Sequence, residues 1–258
     1  MDFNGKVALI TGSSSGIGEA IAIKLWSLGA NVVITGRDDK RIAQVVDKCQ
    51  TRDNQRALGV RADLLVDKDI EELVAKTIKE FGKINILVNN STAGGFAIVP
   101  FGEPGYLNMY DMQMNGELRA IQVVTQLALP HLELTKGNIV NISSIGSIVP
   151  NIENPPFCMA KSGLDMFTKC MAIYLGPKGV RVNSVNPSAT KTPVFERRTG
   201  STKLLESLVT HCRETYPLGR IGEPQDMAEA VAFLASERSA SFITGLIMPV
   251  DGGALLVA

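Results

Sequence analysis

Short apolar runs rich in β-branched residues alternate with longer stretches whose apolar positions recur every three or four residues. Residues 6–11 (KVALIT) are the first such run and predict a buried strand. Ile17, Ala20, Ile21, Leu25 and Leu28 follow at helical spacing, and Gly29 closes that helix. Residues 31–35 (NVVIT) predict the next strand, 38–50 a helix, 57–60 a short strand and 67–81 another helix. Strands are also expected over 84–89, 138–142, 180–185 and 246–250, with two long helices over 107–134 and 156–175.

Apolar strands separated by helices of ten or more residues make βαβ units and a parallel sheet. Right-handed crossovers place helices on both faces, so the predicted class is α/β with a doubly wound sheet. Only residues 188–216 break the alternation, with Pro193, Arg197, Arg198 and Gly200 among scattered apolar positions. That excursion is too long for an ordinary connection and is expected to be a substrate lid. The organisation predicted is one domain over 1–258 carrying one lid.

Composition narrows the partners. Of 258 residues 45% are apolar, and 26 basic residues balance 26 acidic ones. A nucleic-acid protein carries a basic excess, so that partner is not expected. No apolar run approaches the ~20 residues of a membrane span, and the N-terminus lacks a charged-then-apolar signal pattern. A cytoplasmic chain is the expectation. Cys49, Cys158, Cys170 and Cys212 have no metal-ligand spacing, and the only histidines are His131 and His211, so no metal site is expected.

The first strand runs directly into Thr11-Gly12-Ser13-Ser14-Ser15-Gly16-Ile17-Gly18 and a helix. Glycines allow a tight turn and close backbone approach, while a helix N-terminus presents unpaired N–H groups to a pyrophosphate. The spacing differs from G-x-G-x-x-G and resembles the short-chain dehydrogenase/reductase family. The resemblance spans nearly the whole chain. It rests further on Asp63-Leu64, Asn89-Asn90, Asn115, Ser144 within Asn141-Ile142-Ser143-Ser144, Lys161, Pro187 with Thr190 and Thr192, and the closing Pro249-Val250-Asp251-Gly252-Gly253.

The resemblance implies a Rossmann-type fold and a nicotinamide dinucleotide held by Gly12, Ser14, Ser15, Gly16, Ile17, Gly18, Asp63, Leu64, Asn89, Lys161, Pro187, Thr190 and Thr192. Relatives that take NAD carry an acidic residue after the second strand to bind the ribose hydroxyl. Here the corner is Thr35-Gly36-Arg37-Asp38. The Arg37 guanidinium suits a 2′-phosphate and the small Gly36 leaves room for it, so NADP is expected; Asp38 reading the hydroxyl of NAD is the alternative.

In the family a tyrosine four residues before the lysine is the acid/base, and the lysine lowers its pKa from about 10. Here Phe157 holds that position, thirteen residues after Ser144. The catalytic set implied is therefore Asn115, Ser144, Phe157 and Lys161, without a phenol. Thr92 and Ser188 also depart from the family pattern, at positions of a glycine or alanine-glycine segment. The expected function is an NADP(H)-dependent oxidoreductase acting on the carbonyl or secondary alcohol of a lipophilic small molecule, slowed by Phe157. The alternative is an inactive dinucleotide-binding relative with a regulatory or scaffold role. The family also implies a homotetramer built on the two long helices.

Phe96, Ile98, Val99 and Phe101, with Val194 and Phe195, read equally as an apolar substrate wall or as core. His131 reads as a residue near a helix end, His211 as a surface residue of the lid, Cys158 as a packed thiol and Trp26 as packing.

Overall fold

A computed structural model of the chain describes residues 1–49, 55–90, 92, 98–195 and 201–258. Its elements run β1 (Val7–Ile10), α1 (Gly16–Ser27), β2 (Asn31–Gly36), α2 (Asp39–Lys48), β3 (Ala57–Arg61), α3 (Asp67–Phe81) and β4 (Ile86–Asn89). Then come α4 (Tyr106–Met114), a π-helical turn (Asn115–Arg119), α5 (Ala120–Thr135), β5 (Asn138–Ile142), α6 (Pro155–Leu175) and β6 (Arg181–Pro187). The chain closes with α7 (Lys203–Thr215), α8 (Pro224–Ala235), α9 (Glu237–Ala240) and β7 (Ile247–Val250).

Among the described residues the strands form one sheet of seven in the order β3-β2-β1-β4-β5-β6-β7, every pair parallel. Alternate side chains divide between two cores, as the two-residue period of a strand demands. Ala8, Ile10, Val32, Ile34 and Val88 pack with Ile21, Leu25 and Trp26 of α1 and Val231 and Leu234 of α8. Leu9, Val33, Leu87, Ile139 and Val182 face the other way, onto Ile70 and Leu73 of α3, Val124 and Leu132 of α5 and Leu175 of α6. The strands are apolar on both sides because both sides are covered. The Rossmann-type class expected from the alternation is the class observed. Strand order reverses between β1 and β4, and such a switch point opens a crevice at the carboxyl ends of the strands.

Two expectations about helices need correction. The helix predicted over 107–134 is not continuous α-helix, because the π-helical turn Asn115–Arg119 interrupts it between α4 and α5. The excursion over 188–216 contains a regular helix, α7, so His211 is helical and its Nε2 lies 3.4 Å from Thr215 Oγ1 one turn on. Arg197, Arg198 and Gly200 lie outside the described residues.

Candidate active site

The groove at the switch point is made first by backbone. Gly12 and Gly16 both have positive φ, +63° and +61°, where a side chain would strain the turn. A Cβ on Gly18 would run into Asn90 Nδ2 and the Gly12 carbonyl and lie 2.9 Å from Ser13 Cα. Ser13 is fully buried; its hydroxyl donates to the Ile10 carbonyl at 2.7 Å and accepts from the Thr35 N–H at 2.9 Å. That hydroxyl ties the turn after β1 to β2. The first N–H groups of α1 have no acceptor within the helix and open on this groove.

Gly12, Ser14, Ser15, Gly16, Ile17, Arg37, Asp63, Leu64 and Thr192 line the groove, nine of the positions named from sequence. Arg41, Asn90, Thr92 and Val194 line it too and were not assigned to the dinucleotide from sequence. Asn90 Nδ2 donates to the carbonyls of Thr11 and Gly12, at 2.9 and 3.1 Å, which fixes the glycine turn against β4.

Asn89, Thr190, Pro187 and Lys161, also expected at the cofactor, do not line this groove. Asn89 is fully buried, and its Nδ2 donates to Asn141 Oδ1 at 2.8 Å and Thr125 Oγ1 at 3.1 Å. Thr190 is buried and donates to the Ser188 carbonyl at 3.0 Å. Pro187 ends β6 in the interior, its carbonyl 3.5 Å from Ser144 Oγ.

At the end of β2, Asp38 caps α2. Its carboxylate accepts from the Arg41 N–H at 3.1 Å and from Arg41 Nε at 2.9 Å. The Arg41 backbone N–H, helped by its guanidinium, holds the Asp38 carboxyl below the usual range. Asp38 is therefore engaged with its own helix, while the exposed Arg37 and the half-buried Arg41 line the groove. Gly36 needs a different reason from the one inferred from sequence. A Cβ there would collide with Ser14 Oγ and lie 3.0 Å from Ser14 Cβ, so the space is already taken by protein.

The second part of the site gathers on α6. Pro155 and Pro156 start the helix, and the Asn154 side chain accepts from the Phe157 N–H. Lys161 follows one turn after Phe157, on the same face. Ser144 caps a 3₁₀ turn, its Oγ accepting from the Gly146 N–H at 3.0 Å. A Cβ on Gly146 would sit 3.3 Å from Phe157 Cε1 and 3.4 Å from Ser144 Oγ, so serine and phenyl ring flank one glycine. Behind them Asn186 Nδ2 donates to the Ser144 carbonyl at 3.1 Å and to Asp165 Oδ2 at 2.8 Å. Ser144, Phe157 and Lys161 are thus brought together.

Asn115 is not. It is exposed, at the outer side of the π-helical turn. Two residues later the same turn directs Glu117, only 1% exposed, against Lys161, 2% exposed, with Oε2 2.9 Å from Nζ. Lys161 Nζ also donates to the Ile142 carbonyl at 3.0 Å and lies 5.6 Å from the Phe157 ring centroid, within cation–π range. Glu117 went unread in the sequence.

The apolar wall is only partly assembled. Val194 lines the groove, whereas Phe101 is 84% exposed and stacks edge-on with Tyr106 at 5.0 Å. Phe96 lies outside the described residues. Burial pushes the Cys49 thiol up to about 11, which keeps it a packed thiol.

A doubly wound sheet with a glycine turn at its switch point is the framework of a dinucleotide-binding protein. Comparison with known proteins narrows the class. A family model described as enoyl-(acyl carrier protein) reductase matches residues 12–254. L-fucose dehydrogenase of Bos taurus is 33% identical over 254 residues, 98% of this chain and 91% of that protein. 3-Oxoacyl-(acyl-carrier-protein) reductase FabG of Aquifex aeolicus is 36% identical over 250 residues, 96% of this chain and 97% of its own. Among solved structures, a short-chain dehydrogenase/reductase of Caenorhabditis elegans with cofactor superposes with a TM-score of 0.92 at 32% identity, over 99% of this chain and 97% of that one. The chain belongs to the short-chain dehydrogenase/reductase family, and the two curated relatives named above are oxidoreductases. No helix among the described residues is long and apolar enough to cross a membrane.

Proposed function

We propose that this protein is an NADP(H)-dependent oxidoreductase acting on the carbonyl or secondary alcohol of a lipophilic small molecule, with turnover slowed because Phe157 stands where the family carries its tyrosine. The observation that carries the cofactor choice is the β2 corner: the Arg37 guanidinium lines the groove, and the Asp38 carboxylate is engaged as a helix cap and paired with Arg41, which lines the groove beside it. Gly12, Gly16 and the first turn of α1 hold the pyrophosphate, Arg37 and Arg41 the 2′-phosphate, and Asp63 and Leu64 the adenine side. Bound there, the nicotinamide supplies or accepts a hydride. Ser144 polarises the substrate oxygen, and Lys161 orders the groups beside it. Residues 188–216 act as the lid of a single catalytic unit in the cytoplasm, assembled as a homotetramer.

Loss of a general acid costs about 10²–10⁴-fold in rate, whereas positioning contributes ~7–11 kcal/mol that a phenyl ring leaves intact. Slow turnover is the consequence, rather than none. The pairing of Lys161 with a buried carboxylate favours one second reading, a dinucleotide-binding member with a regulatory or scaffold role. Nicotinamide fluorescence titrations with NADPH and NADH, followed by turnover on a carbonyl panel, separate these. NADPH bound more tightly than NADH, with slow reduction, supports the enzyme. Equal affinities overturn the cofactor choice, and tight NADPH binding without turnover favours the scaffold.

A further inference from the structure

Lys161 and Glu117 are the deepest charged residues of the site, and they face each other. A carboxylate and an ammonium this buried offset each other's desolvation cost, which either alone carries uncompensated. The carboxylate arrives there because the π-helical turn inserts one residue between α4 and α5. Such single-turn insertions recur at functional sites.

From this geometry we infer that Glu117 is a positioning residue that cancels the charge of Lys161 toward position 157, so that residues 117 and 157 act as a coupled pair. The inference rests on the functional reading above and deepens it. An isolated ammonium beside a phenol favours the phenolate. With a carboxylate 2.9 Å from the same Nζ, position 157 faces a dipole instead of a charge, and a dipole's field falls off faster. A tyrosine placed at 157 in this chain therefore gains a hydroxyl but not the acidity that makes it useful. The phenyl ring loses nothing by that arrangement: it rests against an ammonium that Glu117 and the Ile142 carbonyl hold in place.

Other titratable groups lie around this face. On α6, Cys158 follows Phe157, and Asp165 is turned to Asn186. On α4, which packs across α6, they are Tyr106, Tyr110 and the exposed Asp111. None of these is changed by the variants below, so their influence is common to all of them.

The test compares F157Y with E117Q/F157Y in the full chain, each against its Phe157 parent. Ultraviolet difference spectra across a pH titration report ionisation of the one added phenol. The expected result is a midpoint at least about one pH unit lower in the double variant, tenfold in ionisation constant. The same midpoint in both overturns the coupling, whatever the turnover. Rates with NADPH on a carbonyl panel are read alongside. F157Y alone should gain less than about tenfold, and the double variant more than the product of the two single changes. A shifted midpoint without turnover leaves the coupling standing and removes the oxidoreductase reading. Circular dichroism checks folding; if glutamine is not tolerated, E117N/F157Y takes its place in the same comparison.

Discussion

The glycine groove and the corner around Lys161 both lie at the carboxyl ends of the parallel strands, yet they are held by different means. The groove is a backbone object: positive φ at Gly12 and Gly16, the missing Cβ of Gly18, and one serine hydroxyl fastening two strands. The corner is a side-chain object: a buried ion pair, a phenyl ring and a serine around a single glycine. A backbone-built site keeps its function through much substitution outside a few glycines. A site built from charged side chains changes its chemistry with one or two replacements.

Removing Glu117 alone should have the largest effect. E117A strands the Lys161 ammonium, and breaking a buried pair typically costs ~3–5 kcal/mol. The loss is read as a lower urea midpoint at unchanged slope. The double replacement E117L/K161M should recover most of it, because both desolvation costs disappear together. A loss in E117A below ~1 kcal/mol, the size of an exposed pair, would erase the contrast between the two regions.

The groove should answer with binding. G18A forces a methyl against the Gly12 carbonyl and Asn90. Overpacking of ~1–3 kcal/mol corresponds to dinucleotide affinity lowered ~10–100-fold. Isothermal titration checks it, and unchanged affinity would mean that the turn yields more readily than its packing implies. A smaller effect is expected from R37A, with NADPH affinity about tenfold weaker and NADH unaffected, since Arg41 remains.

An ion pair outside both regions sets the scale. Arg220 holds Asp226 through two contacts at 2.7 and 2.9 Å, in the first turn of α8, with both side chains partly exposed. R220A should cost no more than ~1 kcal/mol. The hydrogen bonds from Arg220 lower the Asp226 carboxyl below its usual value. A depressed folded pKa contributes stability that is fully present above the unfolded value of about 3.9 and fades as pH falls through the folded one. Acid melting curves of R220A and the parent should therefore converge at low pH and separate above it.

The strands and the glycine turn were legible because their signals are strong: an unbroken apolar run, and glycines between a strand and a helix. Of the corner, Ser144, Phe157 and Lys161 were legible from their spacing, but Glu117 was not, for physical reasons that particular residues show. A π-helical turn leaves the apolar rhythm of α4 and α5 intact on either side, so the pattern does not reveal that the inward position moves from Asn115 to Glu117. In β4, covered on both faces, alternation does not tell which of Asn89 and Asn90 meets the groove. The helix α7 was obscured by the Pro193 and Gly200 that precede it. Gly36 was recognised as important for a reason of open space, and its contact with Ser14 shows how little sequence says about which neighbour a missing side chain makes room for.

The buried hydroxyl of Ser13 has a consequence for how a ligand arrives. By fastening the turn after β1 to Thr35, it settles the shape of the loop before anything binds. A dinucleotide then meets a loop with little remaining freedom to surrender, and that saved ordering entropy goes directly into affinity. The same serine means that replacing Ser144, Phe157 or Lys161 leaves the loop's shape in place, so recognition of a dinucleotide is insulated from change at that corner.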